Sequence, residues 1–361
     1  MLKQQRWEPP TPCVTLPGIP RVLVAPGVVP PGRAPVVGDL PMIHRRALAL
    51  AVLLGLLAVS GASYAADAPK PASGKKKIVL VAGGRSHAYG QHAFKAGMIL
   101  LQKRLNEAFP DSVVTELYTD GWPKDSSVLD SADAIVIYCD GGAGHPVNKH
   151  LDQIDRLAKK GVGIAMMHYG VETTKGASGD RFLDWIGGYF EMNWSVNPHW
   201  KIKDAVLAND HPITRGVKPY STQDEWYYHM RFRTDGDGVT YVLSALPPAD
   251  TLKRPDGPHS GNPAVREAVA RGEKQTVAWA RQRPDGGRGF GFTGGHFHWT
   301  WANDQNRKMV LNAIAWIAKV EVPANGVASS RPTLAELREN QDWPVPEKFD
   351  FSRIEKEIND Q

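Results

Sequence analysis

A short apolar stretch that ends in polar residues constrains the fold of this chain more than any other feature. Residues 161–172 read GVGIAMMHYGVE, and their apolar run is bounded by glycines and too short for a buried helix. Such a run is typical of a central parallel strand covered on both faces. His168 and Glu172 follow it directly. Ligands bind beyond the carboxyl ends of such strands, so we predict a site there, although a histidine buried for packing gives the same pattern.

Similar apolar runs alternate with helical patterns along the chain. Apolar residues recur at helical spacing over residues 93–109, and a second amphipathic helix is predicted for residues 303–320. This alternation predicts right-handed crossovers and a mostly parallel, doubly wound α/β sheet. Other strands are predicted at residues 76–84, 113–118, 132–138, 239–246, 275–281 and 289–293.

The first 65 residues are interpreted as a leader. Residues 42–65 combine the charged start MIHRR, an apolar run and a small-residue cleavage site, as in a secretory signal peptide. Residues 1–41 are proline-rich and are interpreted as a disordered extension or a mis-assigned start. We expect a periplasmic or secreted protein that begins near Ala66, with Sec and twin-arginine export both open. Residues 66–327 are predicted to form the α/β domain, and residues 328–361 a tail with a short helix and an extended surface arm.

Charge and cysteine content exclude several classes of function. The sequence pI is about 9.0, but the leader holds six basic and two acidic residues, so the expected mature chain is nearly neutral. We therefore expect no nucleic-acid partner. No membrane span is expected after signal cleavage. Cys13 leaves with the leader, so Cys139 stands alone, and neither an intramolecular disulfide nor a zinc site with paired cysteines can form.

Polar residues follow four of the predicted strands, where a doubly wound sheet brings strand ends together. Five histidines at equivalent places are hard to explain by packing alone. These polar residues are His87 after the first strand, Asp140 and His145 after the third, His168 and Glu172 after the fourth, and His296 and His298 after the last.

Two mechanisms could use these residues. In an extended chain, His296 and His298 lie on one side and could share a divalent metal such as zinc or manganese, completed by His87, His168 or a carboxylate. Alternatively, histidines act with Glu172 or Glu225 as general acid and base and need no metal. We expect no nucleotide cofactor.

Two further segments supply candidate binding residues. Residues 224–232, DEWYYHMRF, alternate like a strand that places Glu225, Tyr227, His229 and Arg231 on one face, although a salt-bridged solvent face fits equally. Residues 254–263 form a long loop centred on His259. Loops of this kind are lids, binding loops or disordered segments.

The motifs SHAYGQH, DGGAGHP, GVGIAMMHYGVE, DEWYYHMRF, DGPHSGNP and GFGFTGGHFHW resemble the trehalose-utilisation, or ThuA-like, family. The resemblance covers residues 76–327 and implies a flavodoxin-like sheet of the class I glutamine amidotransferase-like fold. It also implies a role in disaccharide or 3-keto-sugar metabolism, with some members resembling metal binders.

The chain departs from true amidotransferases at their nucleophile. Met167 and His168 occupy the region where those enzymes carry a cysteine elbow, and Cys139 ends a different strand. Ser86, Ser178 and Ser260 do not lie in a GxSxG elbow either. We therefore expect no glutaminase activity.

The resulting hypothesis is an isomerase, epimerase or lyase that moves a proton next to the carbonyl of a keto-sugar. His168 and Glu172 move protons, while His87, His296 and His298 hold a metal or polarise the carbonyl oxygen. A sugar-binding module without catalysis and a metal-dependent glycoside or ester hydrolase remain alternatives. The sequence leaves homo-oligomerisation open. The candidate substrate-binding residues are Asp140, His145, Glu225, Tyr227, His229, Arg231 and His259.

Overall fold

The computed structural model of the protein describes residues 74–359. The predicted leader, residues 1–65, lies outside the described residues, so its interpretation stays a prediction. Across residues 74–359, no helix combines the length and the apolar character needed to cross a membrane.

One eight-stranded sheet forms the centre of the described chain, in the order β2-β1-β3-β4-β12-β11-β10-β7. The first five strands of this order are parallel, and the last three pair antiparallel with their neighbours. The predicted mostly parallel sheet is therefore confirmed. In chain order the strands are β1 (Lys76–Ala82), β2 (Val113–Tyr118), β3 (Ala134–Tyr138), β4 (Gly163–Met167), β5 (Gly188–Tyr189), β6 (His199–Lys201), β7 (Val206–Leu207), β8 (Gln223–Glu225), β9 (Arg231–Phe232), β10 (Val239–Ala245), β11 (Gln275–Gln282) and β12 (Arg288–Phe292).

Helices cover both faces of the sheet, as expected for a doubly wound, flavodoxin-like fold. Buried side chains of α1 and α5 join the core on one face, and those of α2 and α3 join the core on the other. The helices are α1 (Phe94–Ala108), α2 (Leu151–Lys159), α3 (Ala177–Ile186), α4 (Pro263–Ala270), α5 (Asp304–Ile317), α6 (Leu334–Arg338) and α7 (Ser352–Asn359).

Because helices cover both faces of the sheet, the central strands are continuous apolar runs. In β1, Ile78 and Leu80 pack on the side of α1 and α5, whereas Val79 and Val81 pack on the side of α2 and α3. Successive side chains of a strand point to opposite faces, so both sets must be apolar. The same argument applies to β3 and β4, which are buried along their whole length.

Helix limits follow local capping. The Asn303 side chain accepts hydrogen bonds from the backbone of Gln305 and Asn306 and starts α5. Gly187 ends α3 with a φ of 87°, a left-handed conformation that glycine adopts without a steric penalty. The helices predicted at residues 93–109 and 303–320 are confirmed as α1 and α5.

The continuous strand predicted for residues 224–232 is wrong. The segment contains two short strands, β8 and β9, which belong to different two-stranded sheets. His229, with a φ of 57°, turns the chain out of the extended conformation between them. The predicted row of four side chains is therefore broken, and its members have different surroundings.

The C-terminal tail packs against the loop that follows β1. The tail contains two short helices, α6 and α7, where one was predicted. Between them the Trp343 Nε1 atom donates to the Ser86 carbonyl oxygen over 2.8 Å. The tail is therefore attached close to His87.

Candidate functional site

Four buried side chains meet at the carboxyl edge of the parallel strands. They are His92, His168, Glu225 and His296, and each offers an atom within 4.8 Å of those of the others. His92 precedes α1, His168 follows β4, and His296 follows β12, so three loops at the carboxyl ends of parallel strands supply imidazoles. Glu225 ends β8 and comes from the segment between β4 and β12.

The four side chains are in direct polar contact. The Nε2 atom of His92 lies 3.0 Å from the Nε2 atom of His168 and 3.0 Å from the Nδ1 atom of His296. The Glu225 Oε2 atom lies 3.0 Å from His296 Nδ1 and 3.6 Å from His168 Nε2. Three nitrogens and one oxygen thus surround a single point.

Neighbouring oxygens fix two of the imidazoles. Asp140 Oδ1 lies 2.9 Å from the Nδ1 atom of His92, and the carbonyl oxygen of Thr293 lies 2.9 Å from the Nδ1 atom of His168. Both oxygens accept, so each Nδ1 carries the hydrogen and each Nε2 presents a lone pair. Histidines that bind metals in proteins are usually held in this way.

Electrostatics favour the protonation states that a metal ligand needs. Burial lowers the pKa of His92 to about 4 and the pKa of His168 well below its usual range. Burial raises the pKa of Glu225, but contacts with His199 and His296 outweigh it and leave the pKa lowered. His92 and His168 are therefore neutral and Glu225 is ionised, which is the state in which these groups bind metals.

The donor set fits a divalent transition metal. Three imidazoles and one carboxylate are found around zinc and around other first-row ions that accept nitrogen and oxygen. The second oxygen of Glu225 accepts from the Asn197 side chain over 3.1 Å, which also orients the carboxylate. The residues present therefore fit a metal centre.

Two of the four residues have strained backbones. His92 has a φ of 45° and His168 a φ of 51°, both in the left-handed region that side chains other than glycine rarely adopt. Such residues cost about 1–3 kcal/mol each and cluster at functional sites. Both imidazoles with this backbone conformation belong to the cluster.

A cavity of about 400 Å³ lies over the cluster. The cluster contributes His92 and Glu225 to its wall, and the loop at residues 254–263 contributes further lining residues. The other lining residues are His87, Tyr169, Asn197, Tyr227, Arg254, Pro258, His259 and Ser260.

An ion pair adjoins this cavity. The Nε2 atom of His259 lies 2.9 and 3.1 Å from the two carboxylate oxygens of Glu172, which is 1% exposed. The hydrogen bond with Glu172 raises the pKa of His259, against the effect of burial. A group that can hold or release a proton therefore lies at the wall of this cavity.

Other donors point toward the same cavity. The Tyr227 hydroxyl lies 3.4 Å from the Nε2 atom of His168, and burial raises the pKa of Tyr169 to about 12, so both phenols stay protonated. Arg254 donates through Nη2 to Asn197 over 3.0 Å. Its Nη1 atom is buried without a partner in the described part of the chain.

The family model for ThuA, described as trehalose utilisation, matches residues 78–317. The chain belongs to the ThuA family. The family description indicates a role in carbohydrate metabolism. None of the curated proteins matches the chain.

Solved structures of low identity resemble this ThuA chain. A ThuA-like protein from Bacteroides uniformis is 18% identical with a TM-score of 0.48, and the match covers 69% of this chain and 94% of that one. A ThuA-like protein from Parabacteroides merdae is 14% identical with a TM-score of 0.44, covering 68% and 90%. The glutaminase domain of CTPS from Trypanosoma brucei is 11% identical with a TM-score of 0.36, covering 71% and 99%.

The ThuA chain holds His87 next to the four-residue cluster rather than inside it. The His87 ring stacks on His92 at a centroid distance of 3.5 Å, and Ser86 Oγ lies 2.7 Å from its Nδ1 atom. His87, His92 and Asp140 form a second group of nearby ligand atoms. His87 is exposed, so it can contact a molecule in the cavity.

His298 lies outside the cluster, in contrast to the expected pairing with His296. The expectation assumed an extended chain, but His298 starts a 3₁₀ turn, His298–Ala302, that turns its ring away. Its backbone nitrogen donates to the Gly90 carbonyl oxygen over 2.9 Å. Burial lowers the pKa of His298 to about 3, so this is a neutral interior histidine.

Four predicted substrate-binding residues do not line the cavity, and one of them, Asp140, contacts the Nδ1 atom of His92 instead. His145 is buried, with Nε2 bonded to the Gly170 carbonyl oxygen and Nδ1 accepting from the Val147 nitrogen. The Nδ1 atom of His229 bonds to the Trp194 carbonyl oxygen. Arg231 forms two hydrogen bonds with Glu191. The contacts of these last three residues serve the fold, whereas Glu225, Tyr227 and His259 lie at the cavity.

Sequence reasoning missed His92. It is the second histidine of SHAYGQH and stands directly before α1. A signal was present, because a loop that leaves a central strand and enters a helix passes over the carboxyl edge of the sheet at that point. His199, which lies 3.6 Å from Glu225 Oε1, was missed as well because it comes from the irregular segment between β5 and β8.

Proposed function

We propose that this protein is a metal-dependent enzyme that moves a proton next to the carbonyl group of an oxidised sugar. The observation that carries the proposal is the convergence of His92, His168, His296 and Glu225 on one point, with the Nε2 lone pairs of His92 and His168 directed inward. Family membership supplies the substrate class, and the cluster supplies the type of chemistry. We further propose that the protein acts outside the cytoplasm, as its leader indicates.

The cluster residues would hold a divalent cation. When bound, such an ion polarises a sugar oxygen and stabilises negative charge on it. Asp140 and the Thr293 carbonyl keep the two Nε2 atoms aimed inward, and Asn197 keeps the Glu225 carboxylate in place. In this assignment His168 is a ligand, so the proton transfer first expected of it falls to another group.

Glu172 and His259 are the proposed proton-transfer pair. His259 lies at the cavity wall and holds a proton against the buried carboxylate of Glu172. In its neutral form His259 takes the proton from the substrate carbon, the Glu172 carboxylate compensates the charge on the imidazolium formed, and the imidazolium returns the proton to the product. A hydrogen next to a carbonyl is acidic enough for such a base when the carbonyl oxygen is stabilised.

Neutral and cationic donors would orient the sugar. The Tyr169 and Tyr227 hydroxyls remain protonated, and the Nη1 atom of Arg254 has no partner among the described residues. Sugar hydroxyl and carbonyl oxygens accept hydrogen bonds from groups of this kind. These three residues would hold the reacting ring between the cluster and His259.

Glutaminase chemistry is not part of the proposal. Cys139 is 1% exposed, and burial together with the charge of Asp140 raises the pKa of its thiol well above the usual range. A buried neutral thiol is a poor nucleophile.

The first experiment measures the metal content of residues 66–361, prepared without a histidine tag. We expect about one equivalent of a divalent metal, lost in Glu225→Gln and in His296→Ala. The matched control is His298→Gln, which changes a buried histidine two residues away that lies outside the cluster, and it should retain the metal. A folded protein without metal, or equal loss in all three variants, would refute the metal centre.

The second experiment tests catalysis on a 3-keto-disaccharide. Glu172→Gln should retain the metal and lose turnover by about 100-fold or more, which is within the usual range for a general acid or base. Analysis of the products distinguishes the reaction classes, because hydrolysis gives two fragments whose summed mass exceeds that of the substrate by one water, whereas isomerisation leaves the mass unchanged. Unchanged turnover in Glu172→Gln would remove this residue from the mechanism.

A further inference from the structure

A second cavity, of about 450 Å³, lies beside the metal-ligand cluster. The loop after β1, the residues after β12 and the C-terminal tail form its walls. Its lining residues include Tyr89, Gln91, Phe297, Trp299, Phe349 and Asp350. Aromatic faces and polar groups thus alternate around one space, and its volume lies in the range of about 300–1,000 Å³ that is typical of small-molecule sites.

Three aromatic rings from three parts of the chain form one corner of this cavity. The ring centroids of Tyr89 and Trp299 lie 5.7 Å apart, those of Tyr89 and Phe349 5.0 Å, and those of Trp299 and Phe349 5.7 Å. Aromatic faces bind the C–H groups of a sugar ring, and nearby polar groups bind its hydroxyls. Gln91 and Asp350 offer such polar groups.

A single residue, His199, contacts both the second cavity and the cluster. His199 lines it, and the same residue places its Nε2 atom 3.6 Å from Glu225 Oε1. The ring of His199 also lies 4.9 Å from that of His296. A molecule with two linked rings could therefore place one ring at the cluster and the other in this cavity.

Specific contacts fix the part of the C-terminal tail that leads to the wall of the second cavity. Asp342 forms an ion pair with Lys95 at 3.1 Å, and Gln341 Oε1 accepts from the Gly90 nitrogen over 3.2 Å. The guanidinium of Arg85 lies 4.4 Å from the centre of the Trp343 ring. The segment before Phe349 is thus attached to the loop after β1 and to the first turn of α1, and the tail forms one wall of the second cavity.

We propose that this cavity binds the second, non-reacting ring of a disaccharide and that Phe349 of the tail determines the preference for two-ring substrates. The proposal rests on the proposed function, because it takes the reacting ring to lie at the cluster. The rings of Trp299 and Phe349 stack on the sugar, and the Asp350 carboxylate accepts a hydroxyl hydrogen. Removal of the Phe349 ring therefore affects two-ring ligands and spares one-ring ligands.

The test is calorimetric binding of trehalose and glucose to residues 66–361. The unchanged protein should bind trehalose at least tenfold more tightly than glucose. Phe349→Ala should weaken trehalose binding about tenfold and leave glucose binding unchanged. Val345→Ala is the matched control, since this exposed tail residue does not line the cavity and its removal should change neither affinity.

Phe349→Leu serves as a second variant in case Phe349→Ala loosens the tail, because leucine fills space but offers no aromatic face. Equal affinities for the two sugars in the unchanged protein, absence of trehalose binding, or equal weakening of both sugars would overturn the proposal. Calorimetry measures binding and does not depend on turnover. The proposed reaction and the proposed second-ring site can therefore be refuted independently of each other. Trehalose binding that depends on Phe349 in a protein without activity would refute only the proposed reaction, and turnover with unchanged trehalose affinity in Phe349→Ala would refute only the second-ring site.

Discussion

The Nε2 atoms of His92 and His168 lie 3.0 Å apart, and neither carries a hydrogen toward the other. The reason lies on the far side of each ring, where Asp140 and the Thr293 carbonyl both require a donor at Nδ1. Each lone pair has another neighbour besides the facing ring: the Tyr227 hydroxyl lies 3.4 Å from His168 Nε2, and the Nδ1 atom of His296 lies 3.0 Å from His92 Nε2. Because His296 and Glu225 face the same point, a divalent cation placed there would accept both lone pairs together with theirs.

Asp140 should control metal affinity without being a ligand. Asp140→Asn removes the negative charge that accepts the Nδ1 hydrogen of His92. We expect about 10- to 100-fold weaker metal binding, the usual effect of removing such a partner. A titration against a competing chelator measures it.

The control for Asp140→Asn is Asp184→Asn. Asp184 forms a surface ion pair with Arg233 at 3.0 Å and has no contact with the cluster. Its replacement should leave metal affinity unchanged. Metal binding that is equally strong in Asp140→Asn and in the unchanged protein would show that His92 needs no carboxylate partner.

The fold was predictable because its signals are local. The apolar runs of β1, β3 and β4 and the helical spacing of apolar residues in α1 and α5 reflect burial on one or both faces. Each segment shows this pattern in its own residues, without reference to the rest of the chain. The ThuA motifs then added the type of sheet.

The site was only partly predictable because the positions of its side chains depend on turns that no local sequence pattern indicates. The pairing of His296 with His298 failed because a 3₁₀ turn begins at His298. The prediction that the side chains from Glu225 to Arg231 share one strand face was wrong because His229 adopts a left-handed conformation. Strand ends identified His168 and His296, but the contribution of Glu225 to the cluster depends on how an irregular segment folds back over the sheet.

Glu172 should set the titration of His259. Its hydrogen bond raises the pKa of His259, while burial and Arg254 lower it and Glu225 raises it. Glu172→Gln removes the largest of these effects, so the pKa of His259 should fall. The ring-proton shift of His259, followed by NMR against pH, measures the change.

The raised pKa of His259 also determines how the stability of the fold changes with pH. The pKa of His259 is higher in the folded protein than in the unfolded chain, so the ion pair stabilises the fold fully below about pH 6.5. That stabilisation is lost as the pH rises through the raised pKa. In Glu172→Gln this pH dependence of the free energy of unfolding should disappear, and its persistence would assign it to another group.

Gly141 should not tolerate a side chain. A Cβ atom there would collide with the Tyr169 carbonyl oxygen and lie 2.7 Å from the Glu172 carbonyl oxygen, and neither backbone atom can move without displacing the turn after β4. Gly141→Ala should lower the free energy of unfolding by about 1–3 kcal/mol. Gly84→Ala is the control, because a Cβ atom there meets nothing within 4 Å. Denaturant titration compares the two, and equal stabilities would show that this turn is adaptable.

Cys139 should be unreactive in the folded protein. It is the only cysteine of residues 66–361, it is 1% exposed, and burial raises the pKa of its thiol. A thiol reagent such as DTNB should therefore label less than about 0.1 equivalent in buffer and about one equivalent in denaturant, because the thiolate is the reactive form. Rapid labelling of the folded protein would instead show an accessible thiolate next to Asp140. In that case nucleophilic chemistry at Cys139 would have to be reconsidered together with the expected absence of glutaminase activity.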